Sequence, residues 1–299
     1  MTPLFQILLL ALLADWLVGE PRRFHSTVWM GRLTSLLRPY TSDRRIYGVL
    51  ILLAVALPFS FTAYALVAVT NVVVAAWILK LQFAWRSLSE HAKEVSKCIQ
   101  NDLERARKAV SKMVGRDTGT LDEGHVISAA VESIGDSSVD GIVAPLFYYL
   151  VVGSILGPAL GVAAAVFYRA VNTLDSELGY KKKGYSNIGF FPAKLDDVLN
   201  YIPARITSLL ILLSSILLGE NWKGSAKIFL RDRKKTLSPN SGHAMSALAG
   251  ALGVQLEKIG YYRLGDGNAE LRREHIGRAL RLVNISSVLF LVSSIILMS

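Results

Sequence analysis

Three carboxylates recur at four-residue intervals in Glu132-Ser-Ile-Gly-Asp136-Ser-Ser-Val-Asp140. On a helix that spacing lines them along one face. Like charges in such a column repel unless cations neutralise them, and the column runs directly into an apolar stretch at Ile142. Mg²⁺ holding a nucleotide's phosphates is a natural partner, because it takes oxygen ligands and commonly uses one or two carboxylates plus substrate phosphate. The plain alternative is a solvated acidic face. Just upstream, Val114-Gly-Arg-Asp-Thr118 supplies Arg116 and Asp117, and Arg116 is a candidate to face the phosphates.

A second group follows the next apolar run. It comprises Tyr168-Arg169-Ala-Val-Asn172-Thr-Leu-Asp175-Ser176, the run Lys181, Lys182 and Lys183, then Asp196-Asp197-Val-Leu-Asn200 and Pro203-Ala-Arg205. Asp196, Asp197 and Asn200 fall within about one helical turn, so they can converge on one cation. The lysines alone read as an interfacial basic run. With the amides and carboxylates they form a donor and acceptor set suited to a phosphorylated substrate with a metal. A third group is Asp15-Trp-Leu-Val-Gly19-Glu20-Pro21 with His25 and Gly31. It is either a helix end with a glycine turn or a carboxylate and imidazole at a membrane surface, where ionisable groups are costly and tend to be functional. Finally, Leu237-Ser-Pro-Asn240-Ser-Gly242-His243 reads as a turn opening a small-residue helix, capped by Ser238 or Asn240. Such a helix start also suits an anion. No Walker A sequence, kinase glycine loop, Ser-His-Asp order or HExxH motif is present.

The elements that must position these groups are apolar. The 299 residues are 52% hydrophobic, yet carry a formal charge of +10. A chain both apolar and basic reads as a polytopic helical membrane protein with basic loops. Apolar runs lie at about 3–18, 46–79, 142–171, 206–218 and 282–298. The first lacks the basic start and cleavage site of a signal peptide and reads as a retained helix. The second is too long for one span of about 20 residues. Interrupted by Pro58, it is a helical hairpin or one long kinked helix. The third, with Gly153, Gly157 and Pro158 at its middle, reads as another hairpin. The fourth is short, and is re-entrant, tilted or extended through 203–207. About four to seven membrane helices are expected. Residues 86–112 read as one amphipathic helix, with Leu88, His91, Val95, Ile99, Leu103, Ala106 and Val110 on one face.

If both long runs are hairpins, the polar segments 19–45, 86–141 and 172–205 share one side, and their Lys and Arg content assigns that side to the cytosol. Segment 219–281 is the most basic, with 12 Lys and Arg. A cytosolic location for it conflicts with a simple crossing at 206–218, and the sequence leaves this open. The charge is spread over several loops without a recognition motif, which argues against nucleic acid. The single cysteine, Cys98, excludes an intrachain disulfide and a thiolate metal site within one chain.

Taken together, these words resemble the CobD/CbiB family of cobalamin biosynthesis, the adenosylcobinamide-phosphate synthases. The resemblance rests on Asp15-x-x-x-Gly19-x-Pro21 with His25 and Gly31, Val114-Gly-Arg-Asp-Thr118, Val131-Glu132 with Asp140-Gly141, and Ala144-Pro-Leu-Phe147. It continues through Asn172-Thr-Leu-Asp-Ser176, Gly179-Tyr180, Asp196-Asp197 with Asn200, Ile202-Pro-Ala-Arg205, and Ser238-Pro-Asn240 with Gly242. Each word is weak; their order from residue 15 to about 267 is specific. Three positions depart from the family pattern. Gly135-Asp136 stands where an acidic residue and Asn are usual, His25-Ser26 where His-Pro is usual, and Glu20 where Asp is common.

The resemblance implies one membrane domain over 1–299, in the cell membrane with a cytosolic active site. It implies ATP-dependent amide formation between a propionate carboxyl of adenosylcobyric acid and (R)-1-aminopropan-2-ol or its O-phosphate, with ATP as co-substrate and Mg²⁺. Glu132, Asp140, Asp175 and Asp197 become candidate catalytic groups, and Glu132, Asp175, Asp196 and Asp197 candidate metal ligands. Substrate and phosphate candidates are Asp15, His25, Arg116, Asp117, Asn172, Lys181, Lys182, Lys183, Asn200, Arg205 and Asn240. The expected partners are the corrinoid, the amine, the lipid bilayer and other membrane enzymes of late cobalamin assembly, with no nucleic acid. Two other classes stay open: a Mg-dependent prenyl or alcohol-phosphate transferase, which needs no ATP, and a non-catalytic membrane sensor or transporter.

Overall fold

A computed structural model of the chain describes residues 2–20, 26–179, 187–267 and 269–298. The first helices are α1 (Pro3–Val18), α2 (Ser26–Leu37), α3 (Arg45–Val69), α4 (Val72–Lys80), α5 (Trp85–Ile99) and α6 (Leu103–Val110). Next come α7 (Glu123–Ser138), α8 (Ala144–Leu156), α9 (Pro158–Leu178), α10 (Phe190–Leu199) and α11 (Tyr201–Leu217). The chain ends with α12 (Trp222–Asp232), α13 (Ser241–Leu252), a hairpin of β1 (Leu256–Lys258) and β2 (Tyr262–Leu264), and α14 (Glu274–Met298). It is an all-α membrane protein, with one small antiparallel hairpin that the sequence pattern does not announce. Among the described residues, three helical stretches are long and apolar enough to cross a bilayer: Arg45–Val69, Glu123–Leu156 and Glu274–Leu297. Counting α10 with α11 as one broken span makes four, the lower end of the expected range. On α3 and α14, Phe61, Val69, Ile296 and Leu297 are strongly exposed, as lipid-facing side chains are.

The helices form two compact units interleaved along the chain. The first contains residues 1–86 and 144–200. Its centre is α9, packed against α8, α3, α10 and α2. The expected break in the 142–171 run occurs at Gly157, whose φ of 93° favours glycine, with Pro158 opening α9. Close approach of α8 and α9 depends on Gly161: a Cβ there would lie 2.6 Å from the Tyr149 carbonyl oxygen and 2.8 Å from the Gly153 Cα. The Tyr149 hydroxyl donates to the Leu4 carbonyl at 2.7 Å and ties in α1. The expected interruption at Pro58 does not occur, because α3 runs through it. That run breaks instead at Asn71, whose side chain accepts from the Val73 and Val74 amides and starts α4.

The second unit contains residues 87–143 and 201–299. At its core is α13, almost entirely Gly, Ala, Ser and Leu, packed against α7, α11, α12 and α14. The expected single amphipathic helix is two helices. Asp102 accepts from the Arg105 amide and starts α6 afresh, so Ala106, Ala109 and Val110 form a new buried face. The expected carboxylate column is also interrupted. Residues 139–143 form one π-helical turn, so the regular α spacing that the column assumes does not continue through Asp140. Arg273 Nε donates to Ser96 Oγ at 3.2 Å, joining the segment before α14 to α5.

Candidate functional site

Each unit carries a polar cluster. In the first unit, α9 presents Arg169 and Asn172 three residues apart, and α10 presents Asp196 with Asn200 just beyond its end. These spacings place each pair on one face. Asp196, 8% exposed, is held at both oxygens: Asn172 Nδ2 donates to Oδ1 at 3.2 Å and Asn200 Nδ2 donates to Oδ2 at 3.0 Å. Asn200 Oδ1 accepts from the Tyr168 hydroxyl at 2.8 Å, and Asn172 Oδ1 from Arg169 at 3.2 Å. Arg169 Nε is anchored on the Gln82 carbonyl at 2.8 Å. Tyr168 stacks on Tyr148, whose hydroxyl donates to the Leu199 carbonyl. The outcome is a continuous chain from Tyr168 through Asn200, Asp196 and Asn172 to Arg169, with one buried carboxylate at its middle. Asp175 and Asp197 lie close enough to act on Asp196 electrostatically. Asp197 also pairs with Lys194 at 3.6 Å. Directly after α9, Gly179 passes close to Asp175, where a Cβ would lie 2.6 Å from its carbonyl oxygen.

Asp15 lies elsewhere in this unit and is engaged structurally. Its Oδ2 accepts from the Arg86 amide at 3.0 Å, and Lys80, 1% exposed, approaches Oδ1 at 3.8 Å. A polar cavity of about 520 Å³ is lined by Thr27, Gly31, Arg32, Ser35, Thr173 and Glu177, among others. That size falls in the range of small-molecule sites. His25, Lys181, Lys182 and Lys183 lie outside the described residues.

In the second unit Glu132 is the buried carboxylate. Its Oε1 accepts from Ser128 Oγ at 2.8 Å and from Arg116 at 3.1 Å. Its Oε2 accepts from the Tyr262 hydroxyl at 2.7 Å and from the other Arg116 nitrogen at 3.4 Å. The Arg116 contact is the two-pronged geometry that favours guanidinium over ammonium. Burial and the adjoining Glu132 charge push the Tyr262 phenol well above its usual range, so it stays protonated and donates. Ser128 is itself fixed by the Glu257 amide at 2.8 Å. A cavity of about 490 Å³ borders this network, lined by His125, Ser128, Gln255, Glu257 and Arg272 among others. Asp117 accepts from the Gly119 amide in an exposed turn. At the start of α13, Asn240 Oδ1 accepts from Arg205 at 3.3 Å.

Thus Asn172, Asp175, Asp196, Asp197 and Asn200 gather in one unit, while Arg116 pairs with Glu132 and Arg205 with Asn240 in the other. Among the described residues, no three His, Cys, Asp or Glu side chains converge closely enough to cage a metal. Sequence reasoning missed Tyr262, Ser128 and Lys80. Ser128 was visible as a hydroxyl four residues before Glu132 on the same face. Tyr262 lies 130 residues from Glu132, and no local pattern announces it.

The family model described as CobD/Cbib protein matches residues 8–283. The probable cobalamin biosynthesis protein CobD of Methanothermobacter thermautotrophicus is 40% identical over 292 residues, 96% of each chain. The cobalamin biosynthesis protein CobD of Leptospira interrogans is 38% identical, covering 97% of this chain and 96% of its own. The probable cobalamin biosynthesis protein CobD of Thermococcus kodakarensis is 39% identical, covering 92% and 89%. No solved structure matches the chain.

Proposed function

The chain belongs to the CobD/CbiB family, and on that premise we propose that it is an ATP-dependent ligase of cobalamin biosynthesis. It joins a propionate carboxyl of adenosylcobyric acid to the amine of (R)-1-aminopropan-2-ol or its O-phosphate, giving adenosylcobinamide or its phosphate. An amine does not displace oxygen from a carboxylate near neutral pH. Transfer of the γ-phosphoryl group to the carboxylate oxygen yields an acyl phosphate and ADP. The amine nitrogen then bonds to the acyl carbon, the bond from that carbon to the phosphate oxygen breaks, and the nitrogen's proton passes to a base. Catalysis of such steps is mainly positioning and charge stabilisation.

The observation that carries this reading is the hydrogen-bonded chain through Asp196, with Asp175 and Asp197 beside it and amide donors on both of its oxygens. The donor set is all oxygen, as Mg²⁺ requires, and an ion arriving with ATP needs only one or two carboxylates. Asp175 and Asp197 would hold it, and its charge would offset that of the phosphates. Asp196 is the buried organiser between them. Glu132 directs both oxygens at its own donors, so its role is to hold Arg116 for phosphate recognition. Asp140, Asp175 and Asp197 are the candidates for the amine's proton. Lys181, Lys182, Lys183 and Arg205 are further phosphate candidates, and Asp15, His25, Asp117, Asn172, Asn200 and Asn240 position substrate or its supports. The reacting face is cytosolic, where ATP is available, and the bilayer boundary presents the large, partly apolar corrinoid. Other membrane enzymes of late cobalamin assembly are candidate neighbours.

The test is purified protein in detergent with adenosylcobyric acid, either amine, Mg²⁺ and ATP, followed by mass detection of the corrinoid. The expected result is a product heavier by one amide-linked aminopropanol unit, absent without ATP. Folded protein that forms no product with either amine would remove the ligase reading. ATP-independent turnover would move it to the transferase class.

A further inference from the structure

We propose that the start of α13 is a phosphate-binding site in which Arg205 and Arg233 converge on His243, and that its ligand is a phosphate ester. The proposal rests on the ligase reading only for the choice between nucleotide and amino-alcohol phosphate.

The 12-residue α13 offers the positive end of its dipole at Ser241. Its N-cap residue, Asn240, makes no side-chain capping bond and instead accepts from Arg205; Thr236 Oγ1 accepts from the Gly242 amide at 3.0 Å, so side chains rather than that amide would meet the ligand. In the first turn, His243 is 4% exposed and, among the described residues, its Nδ1 has no hydrogen-bond partner. Buried polar atoms are almost always satisfied, so an orphan here points to a missing partner. Burial, with the charges of Arg205 and Arg233 adding to it, lowers the His243 pKa to about 4, which keeps the ring neutral with one N–H to donate. Both guanidiniums are held on aromatic faces. Arg205 lies 3.3 Å from the Tyr201 ring centroid and Arg233 5.1 Å from that of Phe229, which in turn meets the His243 ring at 5.5 Å.

Neighbouring carboxylates are committed to other cations. Asp232 pairs with Arg231 and Lys235, Asp266 with Lys227, and Glu220 with Arg278. Asp136, on the α7 side, hydrogen-bonds Ser241. Among the described residues, neither Arg205 nor Arg233 has a carboxylate within ion-pairing distance. Gly242 completes the arrangement: a Cβ would sit 2.3 Å from the Arg233 carbonyl oxygen, so glycine lets Arg233 lie against the first turn. Two guanidinium forks, a neutral imidazole donor and a helix dipole match a phosphate better than any cation or neutral group.

The test is calorimetric titration of the full-length protein in detergent with ATP, (R)-1-aminopropan-2-ol O-phosphate and inorganic phosphate. The unphosphorylated amine serves as the control. Arg233→Gln is expected to weaken at least one phosphate ester tenfold or more and to leave the amine unaffected. Arg233→Lys is expected to recover part of that affinity, and stands in if the glutamine variant fails to fold. Loss confined to ATP identifies the nucleotide as the ligand, and loss confined to the amino-alcohol phosphate identifies the second substrate. Wild-type affinity for every phosphate compound in the folded variant overturns the site. If no amide product forms but phosphate binding still depends on Arg233, the ligase reading falls and the site stands.

Discussion

Glu132 meets four donors with two oxygens, and three of those donors come from other segments: two from Arg116 and one from Tyr262. A buried carboxylate so completely engaged stabilises only while its partners remain. Removing one member of such an ion pair leaves an uncompensated charge, which costs about 3–5 kcal/mol. Glu132→Gln should therefore lower thermal stability by about 3 kcal/mol and abolish product. Tyr262→Phe, which deletes one bond to a charged group, should cost about 2 kcal/mol. Unfolding of both variants in detergent checks this, and a Glu132→Gln midpoint equal to wild type would refute the pairing. The residue types of this network were legible in the sequence: Glu132 and Arg116 stand out as charges beside an apolar run. Their mutual bond was not, because two charges 16 residues apart can meet each other or a ligand, and only tertiary contact decides. The same holds for Asp15, whose contacts with Lys80 and the Arg86 amide no local pattern announces.

At the scale of elements, glycine spacing does work that hydrophobicity cannot. Gly161 faces backbone, the Tyr149 carbonyl and the Gly153 Cα, neither of which can yield as a flexible side chain would. Gly161→Ala should force α8 from α9 and cost about 2 kcal/mol or more, as overpacking does. Gly277 in α14 has no neighbour within 4 Å of an added Cβ, so Gly277→Ala should be neutral or stabilising by up to about 1 kcal/mol through helix propensity. Thermal unfolding of the pair separates packing from propensity; equal effects would sink the argument. The α8–α9 break could be read in advance, since Gly157-Pro158 both ends one helix and starts the next. The division of α5 from α6 and the π turn at 139–143 could not. Each is a small local departure stabilised by a cap or by tertiary packing, while apolar periodicity runs on across it.

At the scale of the whole molecule, the apolar runs announced an all-α membrane protein, but not which of them cross the bilayer, because length and composition are shared by spanning and re-entrant helices. The hydrogen bond from Arg273 to Ser96 bears on that question. Two residues that touch outside the bilayer are on the same side of it, so the chain between them traverses the membrane an even number of times. Glu123–Leu156 is long and apolar enough to cross; taken as one traverse, it requires one return: α9, or α10 with α11. In a Cys98→Ser background, single cysteines at Ser96 and Lys223 should label from the same face, and labelling from opposite faces would refute this parity. A third cysteine at Asn187 then assigns the return. Labelling with the other two gives it to α9, and labelling from the far side gives it to the helix pair. One surface hydrogen bond thus turns a question about hydrophobicity into one about odd and even numbers.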